Sequence, residues 1–91
     1  MRLLIVEDEK ELCDTIAKTL YQAGYEVDTC YDGDEALDYI LAEDYDLIVL
    51  DLNLPGTDGM DILKELRKEN EETKVLILSA RSQIVDKVEG L

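Results

Sequence analysis

Four short apolar blocks, each separated from the next by a stretch with helical periodicity, constrain the fold of this chain more than any other feature. The blocks occupy residues 2–6, 25–30, 46–50 and 75–78. Strands that are apolar on both faces and are joined by crossover helices belong to a parallel sheet that helices cover on two sides. The sequence therefore predicts an α/β domain built on a doubly wound parallel sheet.

The first and third blocks have the most central character, which predicts the strand order 2-1-3-4 of flavodoxin-like sheets. In such a sheet the order reverses between strands one and three, and ligands bind outside the carboxyl ends of the strands at that point. We therefore expect the functional site where strands one and three end.

The stretches between the blocks predict helices with one buried face each. Gly24 lies just past the first helix, as a C-cap glycine does, Asp34 is expected to open the second, the third begins near Asp58, and a fourth begins after Ala80. The residues expected on the buried faces are Leu12, Ile16, Ala17 and Leu20 in the first helix, Ala36, Leu37, Ile40 and Leu41 in the second, Met60, Ile62, Leu63 and Leu66 in the third, and Ile84, Val85 and Val88 in the fourth.

A strong negative charge limits what the chain can bind. Its 91 residues include 9 Lys and Arg against 23 Asp and Glu, for a net charge of −14. This balance works against binding to nucleic acid or to anionic membranes, and we expect neither for this chain. Because the sequence contains no histidine, its chemistry must depend on carboxylates.

The apolar runs and the cysteines indicate the compartment. No run approaches the roughly 20 residues that a membrane span needs, and the N-terminus has no signal-peptide pattern, so we expect a cytoplasmic location. Cys13 and Cys30 lack metal-ligand spacing and are too few for a disulfide framework. We expect both to be buried as small apolar residues.

Three carboxylates are expected at the predicted site. Glu7 and Asp8 follow strand one, and Asp51 ends strand three. Carboxylates held this close repel one another unless a cation lies among them. Mg²⁺ takes hard oxygen ligands and keeps several waters, and the backbone carbonyl of Asn53 could complete its shell.

Each acid also has a plainer interpretation. Asp8 could cap the first helix, with Glu11 at the capping-box spacing, Glu7 could be a solvated loop acid, and Asp51 could be a turn residue. Because the three acids repel one another, their placement together is hard to explain by stability alone, which favours a functional site.

Two other motifs can be tested by spacing. An EF-hand loop from Asp51 would need an acid or amide at its fifth position and a glutamate at its twelfth, where Pro55 and Ile62 stand. A phosphohydrolase of the haloacid dehalogenase type would need a second aspartate where Asn53 stands, which weakens that alternative without excluding it.

Three segments together carry a family resemblance: they read LLIVEDE, LIVLDLNLPGTDGMDILKELR and VLILSAR. The chain resembles the receiver domain of two-component response regulators over residues 1–91, and is most similar to receivers of the winged-helix DNA-binding class. The resemblance implies that Asp51 accepts a phosphoryl group from a sensor histidine kinase, and that Glu7, Asp8, Asp51 and the Asn53 carbonyl hold Mg²⁺. It also implies that Ser79 is the switch hydroxyl and that Ala80 keeps the phosphorus accessible.

The chain departs from the family pattern near its end. Family members place a lysine at the end of a fifth strand, whereas only 12 residues (91 − 79) follow Ser79 here. We therefore expect a partial receiver domain over residues 1–91 that lacks the fifth strand and helix and has no effector domain. We also expect strand four to be an uncovered edge and, with the region of helix four, to favour self-association.

Three functions stay open from the sequence. The chain could be a phosphoacceptor module that controls an output, which in an intact parent would be transcription from promoter DNA. It could be a phosphatase with an aspartate nucleophile. It could also be an inert structural or self-associating fragment.

Overall fold

A parallel four-stranded sheet forms the centre of the computed structural model, which describes residues 1–78. The elements run in the order β1 (Arg2–Val6), α1 (Lys10–Gln22), β2 (Glu26–Cys30), α2 (Gly33–Ala42), β3 (Leu47–Asp51), α3 (Gly59–Glu69) and β4 (Lys74–Leu78). The strand order is β2-β1-β3-β4, and every pair is parallel. The predicted strands and their order are therefore confirmed, while the predicted fourth helix, Ser79 and Ala80 lie outside the described residues.

The alternation of side chains along the strands divides the core between the two faces of the sheet. Leu4, Val6, Ile48 and Leu50 belong to the larger cluster, which packs with the buried faces of α2 and α3. Ile5 and Val49 point to the other face, where they pack with α1. β1 is consequently buried on both faces, which holds its carboxyl end at a fixed place.

The buried face of α1 differs from the prediction at one position. Leu12 is 41% exposed, whereas Cys13 is fully buried. Cys13, Ile16, Ala17 and Leu20 follow the i, i+3, i+4, i+7 spacing of one helix face, and Leu12 lies at the edge of that stripe, about 100° around the helix from Cys13. The prediction for Leu12 is wrong because packing against the sheet selects the helix face that contains Cys13 and leaves Leu12 toward solvent.

Helix α2 also begins earlier than predicted. Its N-cap is Asp32, whose carboxylate accepts the Glu35 N–H at 2.8 Å. Asp34 lies inside the first turn, and Leu41 is 59% exposed near the end of the helix. The predictions for Asp34 as the first residue and Leu41 as a core residue are therefore wrong.

Both cysteines are buried, as predicted. Burial raises the pKa of the Cys13 thiol to about 11 and raises that of Cys30 as well, so both thiols stay protonated at neutral pH. Cys13 packs on the α1 face of the sheet and Cys30 in the cluster on the other face. They serve as apolar packing.

Candidate functional site

Three carboxylates meet at the carboxyl ends of β1 and β3, where the sequence predicted them. The strands pair in register, with Val6 opposite Leu50, so the residues that follow lie side by side. Glu7, Asp8 and Asp51 each place one carboxylate oxygen within 4.8 Å of the others. The sheet order therefore brings together acids that are 44 residues apart in sequence (51 − 7).

The three acids differ in how far they are exposed to water. Glu7 is buried, with 5% exposure, Asp51 is half-buried and Asp8 is exposed. Burial raises the pKa of the Glu7 carboxyl, and the neighbouring Asp8 and Asp51 carboxylates raise it further. The Glu9 N–H opposes this shift by donating to Glu7 Oε2 at 2.9 Å. Negative charge is thus held at this edge of the sheet at an electrostatic cost.

The donor set suits a hard divalent cation. All three side chains offer carboxylate oxygens, which Mg²⁺ prefers, and the exposed Asp8 leaves the site open to the waters that Mg²⁺ retains. A cation would also relieve the repulsion among the three acids. Glu7, Asp8 and Asp51 are therefore the residues that would hold it.

Asp51 is oriented by the loop that follows β3. The Asn53 N–H donates to Asp51 Oδ1 at 3.0 Å, which fixes the plane of the carboxylate. This bond is the turn contact that the plainer interpretation of Asp51 predicted, so Asp51 stabilises a turn and belongs to the acidic cluster at once. Asn53 lies exposed beside the cluster, while its carbonyl remains a predicted ligand.

The alternative role of Asp8 as a helix cap is not supported. The N-cap of α1 is Glu9, and no side-chain hydrogen bond caps this helix. The Asp8 carboxylate therefore belongs to the acidic cluster.

The loop over residues 52–58 and the start of α3 are packed tightly against the end of β3. At Gly59 a Cβ would lie 2.6 Å from Leu52 Cα and 2.7 Å from the Asp51 carbonyl oxygen, so only glycine lets α3 begin this close to the sheet. The Gly59 N–H also donates to the Leu52 carbonyl oxygen at 3.2 Å. The third helix therefore begins next to Asp58, as predicted.

The sequence reasoning missed the contacts between the first turn of α2 and this loop. Gly33, Asp34 and Thr57 make them, and they join segments that lie more than 20 residues apart. The pairs DG at 32–33 and TD at 57–58 have ordinary turn chemistry, and no local spacing links them. Only the tertiary structure reveals their contact.

Comparisons with known proteins agree with this fold. The response regulator receiver domain family matches residues 3–91, and the chain belongs to that family. Among curated relatives, it is 48% identical over 91 residues to the transcriptional regulatory protein DltR of Streptococcus agalactiae and 45% identical to TctD of Salmonella typhimurium. Each match covers the whole of this chain and 41% of the relative, so the chain spans about two fifths of the relatives' length.

Solved structures of response regulators share the architecture. The response regulator TrrA of Thermotoga maritima, in complex with Mg²⁺ and BeF, is 34% identical with a TM-score of 0.85, covering 98% of this chain and 77% of that one. A response regulator of Burkholderia pseudomallei with a phosphorylated aspartic acid and a calcium ion is 27% identical with a TM-score of 0.84, covering 97% and 52%. The flavodoxin-like receiver fold is therefore shown.

Within residues 1–78, no helix has the length and apolar character needed to cross a bilayer.

Proposed function

We propose that this chain is a phosphoacceptor module in which Asp51 receives a phosphoryl group from a sensor histidine kinase, with Mg²⁺ bound by Glu7, Asp8, Asp51 and the Asn53 carbonyl. The convergence of the three carboxylates at the ends of β1 and β3 carries this proposal. It is supported by membership of the receiver family and by the phosphorylated aspartic acid of the Burkholderia relative.

The chemistry assigns a task to each residue. A carboxylate oxygen of Asp51 attacks the phosphorus, an O–P bond forms, and the bond from the phosphorus to the donor breaks. The Asn53 N–H holds the Asp51 carboxylate in place for that attack. Glu7 and Asp8 hold the cation, which when bound supplies positive charge for the phosphoryl oxygens. Ser79 as switch hydroxyl and Ala80 as the residue that leaves the phosphorus accessible remain predictions.

Phosphorylation of Asp51 can be tested by intact-mass spectrometry after incubation with a small-molecule phosphodonor and Mg²⁺. We expect one phosphoryl adduct that is absent without Mg²⁺ and absent in Asp51→Asn. Asp38→Asn is the matched control, because Asp38 is an exposed acid on α2. An adduct that persists in Asp51→Asn would place the acceptor elsewhere.

An assay of phosphate-ester turnover, run beside the mass measurement, separates the two other functions. Steady turnover of a generic phosphate ester would favour an aspartate-nucleophile phosphatase, although Asn53 stands where that chemistry needs a second acid. A folded chain that gives no adduct would favour an inert receiver fragment. We propose a phosphoacceptor that is not an enzyme acting on an external metabolite.

We place the output of the longer protein in transcription. The relatives DltR and TctD are transcriptional regulatory proteins, and this chain spans 41% of their length. In this proposal a parent protein binds promoter DNA in the cytoplasm, while these 91 residues at −14 do not, because phosphate backbones repel them.

We also propose self-association through β4 and the region after it. Leu76 on β4 is 46% exposed, and β4 is the last strand in the order of the described sheet. An exposed apolar strand favours pairing with another chain. We expect a dimer or larger species by sedimentation at high concentration, weakened by Leu76→Lys. Only monomer across the concentration range would contradict this proposal.

A further inference from the structure

The first turn of α2 holds the loop that follows the acceptor strand. Asp34 Oδ1 accepts two hydrogen bonds from Thr57, one from its hydroxyl at 2.6 Å and one from its backbone N–H at 3.2 Å. The Gly33 N–H donates to the Pro55 carbonyl oxygen at 3.0 Å. We name this set of contacts the α2 clamp.

The α2 helix itself does not require the clamp. Asp32 already caps its N-terminus through the Glu35 N–H. Asp34 is exposed and points its acceptor at another segment of the chain, 23 residues away. Both bonds from Thr57 end on one oxygen of a charged acceptor, and charge-assisted bonds of this kind are shorter and stronger than neutral ones. The clamp therefore fixes Thr57 in direction as well as in distance.

The clamped loop is the one that orients Asp51. It spans residues 52–58 and begins with the Asn53 N–H that donates to Asp51 Oδ1. Thr57 lies four residues beyond Asn53 (57 − 53), and Pro55 between them restricts the backbone. Because the path is only four residues long and contains Pro55, a shift at Thr57 is transmitted to the Asn53 N–H that holds the Asp51 carboxylate.

We propose that Asp34 is a positioning residue for the acceptor site: through Thr57 it holds the loop that places Asn53 against Asp51, and so it sets the Mg²⁺ affinity. Asp34 contacts none of the three clustered carboxylates and acts only through the loop. The part of this inference that concerns Mg²⁺ rests on the proposed function, whereas the part that concerns Asn53 does not.

The variants separate geometry from charge. Asp34→Ala removes the acceptor of both bonds, whereas Asp34→Asn loses the charge but keeps an oxygen in the same place. Thr57→Val removes only the hydroxyl donor and keeps the side-chain shape. Asp38→Ala, on the same helix, removes an exposed acid that lies outside the clamp.

Two readouts apply to each variant: the amide chemical shift and heteronuclear NOE of Asn53 by NMR, and the Mg²⁺ dissociation constant by isothermal titration calorimetry. We expect Asp34→Ala to shift and loosen the Asn53 amide and to raise the dissociation constant about tenfold, a typical loss when a residue that orients metal ligands is removed. Thr57→Val should cause a smaller loss of Mg²⁺ affinity. The double variant should bind Mg²⁺ no more weakly than Asp34→Ala alone. Asp34→Asn keeps the acceptor oxygen but loses the charge that strengthens both bonds, so it should show a smaller loss than Asp34→Ala. Asp38→Ala should behave as the wild type.

The outcomes distinguish the two proposals. Unchanged Asn53 signals in Asp34→Ala would overturn the positioning role whether or not Mg²⁺ binds, and so would an Asp34→Asn variant as defective as Asp34→Ala. Altered Asn53 signals with unchanged Mg²⁺ affinity would overturn the link from the clamp to the metal. If the wild type binds no Mg²⁺, the proposed function fails, and the Asn53 signals alone then decide the role of Asp34.

Discussion

Gly33→Ala should lower the free energy of unfolding by about 3 kcal/mol, the upper end of the usual cost of inserting a side chain into packed structure. A Cβ on Gly33 would overlap the carbonyl oxygen of Thr57 and lie 2.7 Å from its carbonyl carbon. These are backbone atoms, so no side-chain rotation can relieve the overlap. Either the loop leaves α2 or the first turn of α2 unwinds.

The expected loss of stability is opposite in sign to the effect that helix propensity predicts. Inside a helix, alanine is ordinarily favoured over glycine by about 1 kcal/mol, so propensity alone predicts that Gly33→Ala stabilises the chain. Urea denaturation followed by far-UV circular dichroism measures the change. Gly33→Ala should also alter the Asn53 amide, because it acts on the same clamped loop.

Gly24→Ala is the matched control. Gly24 has φ +103°, and no heavy atom lies within 4 Å of the place that an alanine methyl would take, so its substitution strains the backbone without a clash. It should cost about 1 kcal/mol, as left-handed conformations do for other residues. A Gly33→Ala variant that is as stable as Gly24→Ala or more so would contradict the close packing of α2 on the loop.

The sheet and the acidic cluster could be predicted because both follow from local patterns. Each strand is an apolar block, and the parallel order places the ends of β1 and β3 together, so Glu7, Asp8 and Asp51 follow without knowledge of any side-chain contact. The burial difference between Glu7 and Asp8 did not follow. It depends on where the chain turns after β1, and adjacent residues with the same chemistry carry no signal of that turn.

The contacts between α2 and the loop over residues 52–58 were not predictable in the same way. Asp34 reads as a helix start because acids are common there, and its bonds to Thr57 depend on how α2 and the loop meet in space. Leu12 and Leu41 were misplaced because the apolar pattern allowed more than one helix face, and packing against the sheet selected one of them. Patterns within one element therefore predict what it buries better than what it touches at its ends.

Without Mg²⁺, repulsion within the acidic cluster should make the wild type less stable than a variant that lacks one of the three carboxylates. Asp51→Asn keeps the oxygen that accepts the Asn53 N–H and removes only a charge that lies beside Glu7 and Asp8. Coulomb repulsion between carboxylates this close is several kcal/mol at an effective dielectric constant near 20, and water at the exposed Asp8 screens much of it. We therefore expect the free energy of unfolding in EDTA to rise by about 1 kcal/mol.

Mg²⁺ should reverse that ranking, because a ligand that binds only the folded state stabilises it in proportion to the logarithm of its concentration over its dissociation constant. At 100 times that constant the wild type should gain about 2.7 kcal/mol and Asp51→Asn far less, so the two stabilities exchange order as Mg²⁺ is added. Urea titrations in EDTA and in Mg²⁺ measure both limits.

Asp38→Asn removes the same charge from α2 and should parallel the wild type, which separates a local effect from the relief of the net charge of −14. If Asp51→Asn and the wild type respond to Mg²⁺ in parallel, the ion binds elsewhere. If Asp51→Asn is less stable than the wild type in EDTA, the hydrogen-bonded Asp51 carboxylate stabilises the fold more than repulsion from Glu7 and Asp8 weakens it.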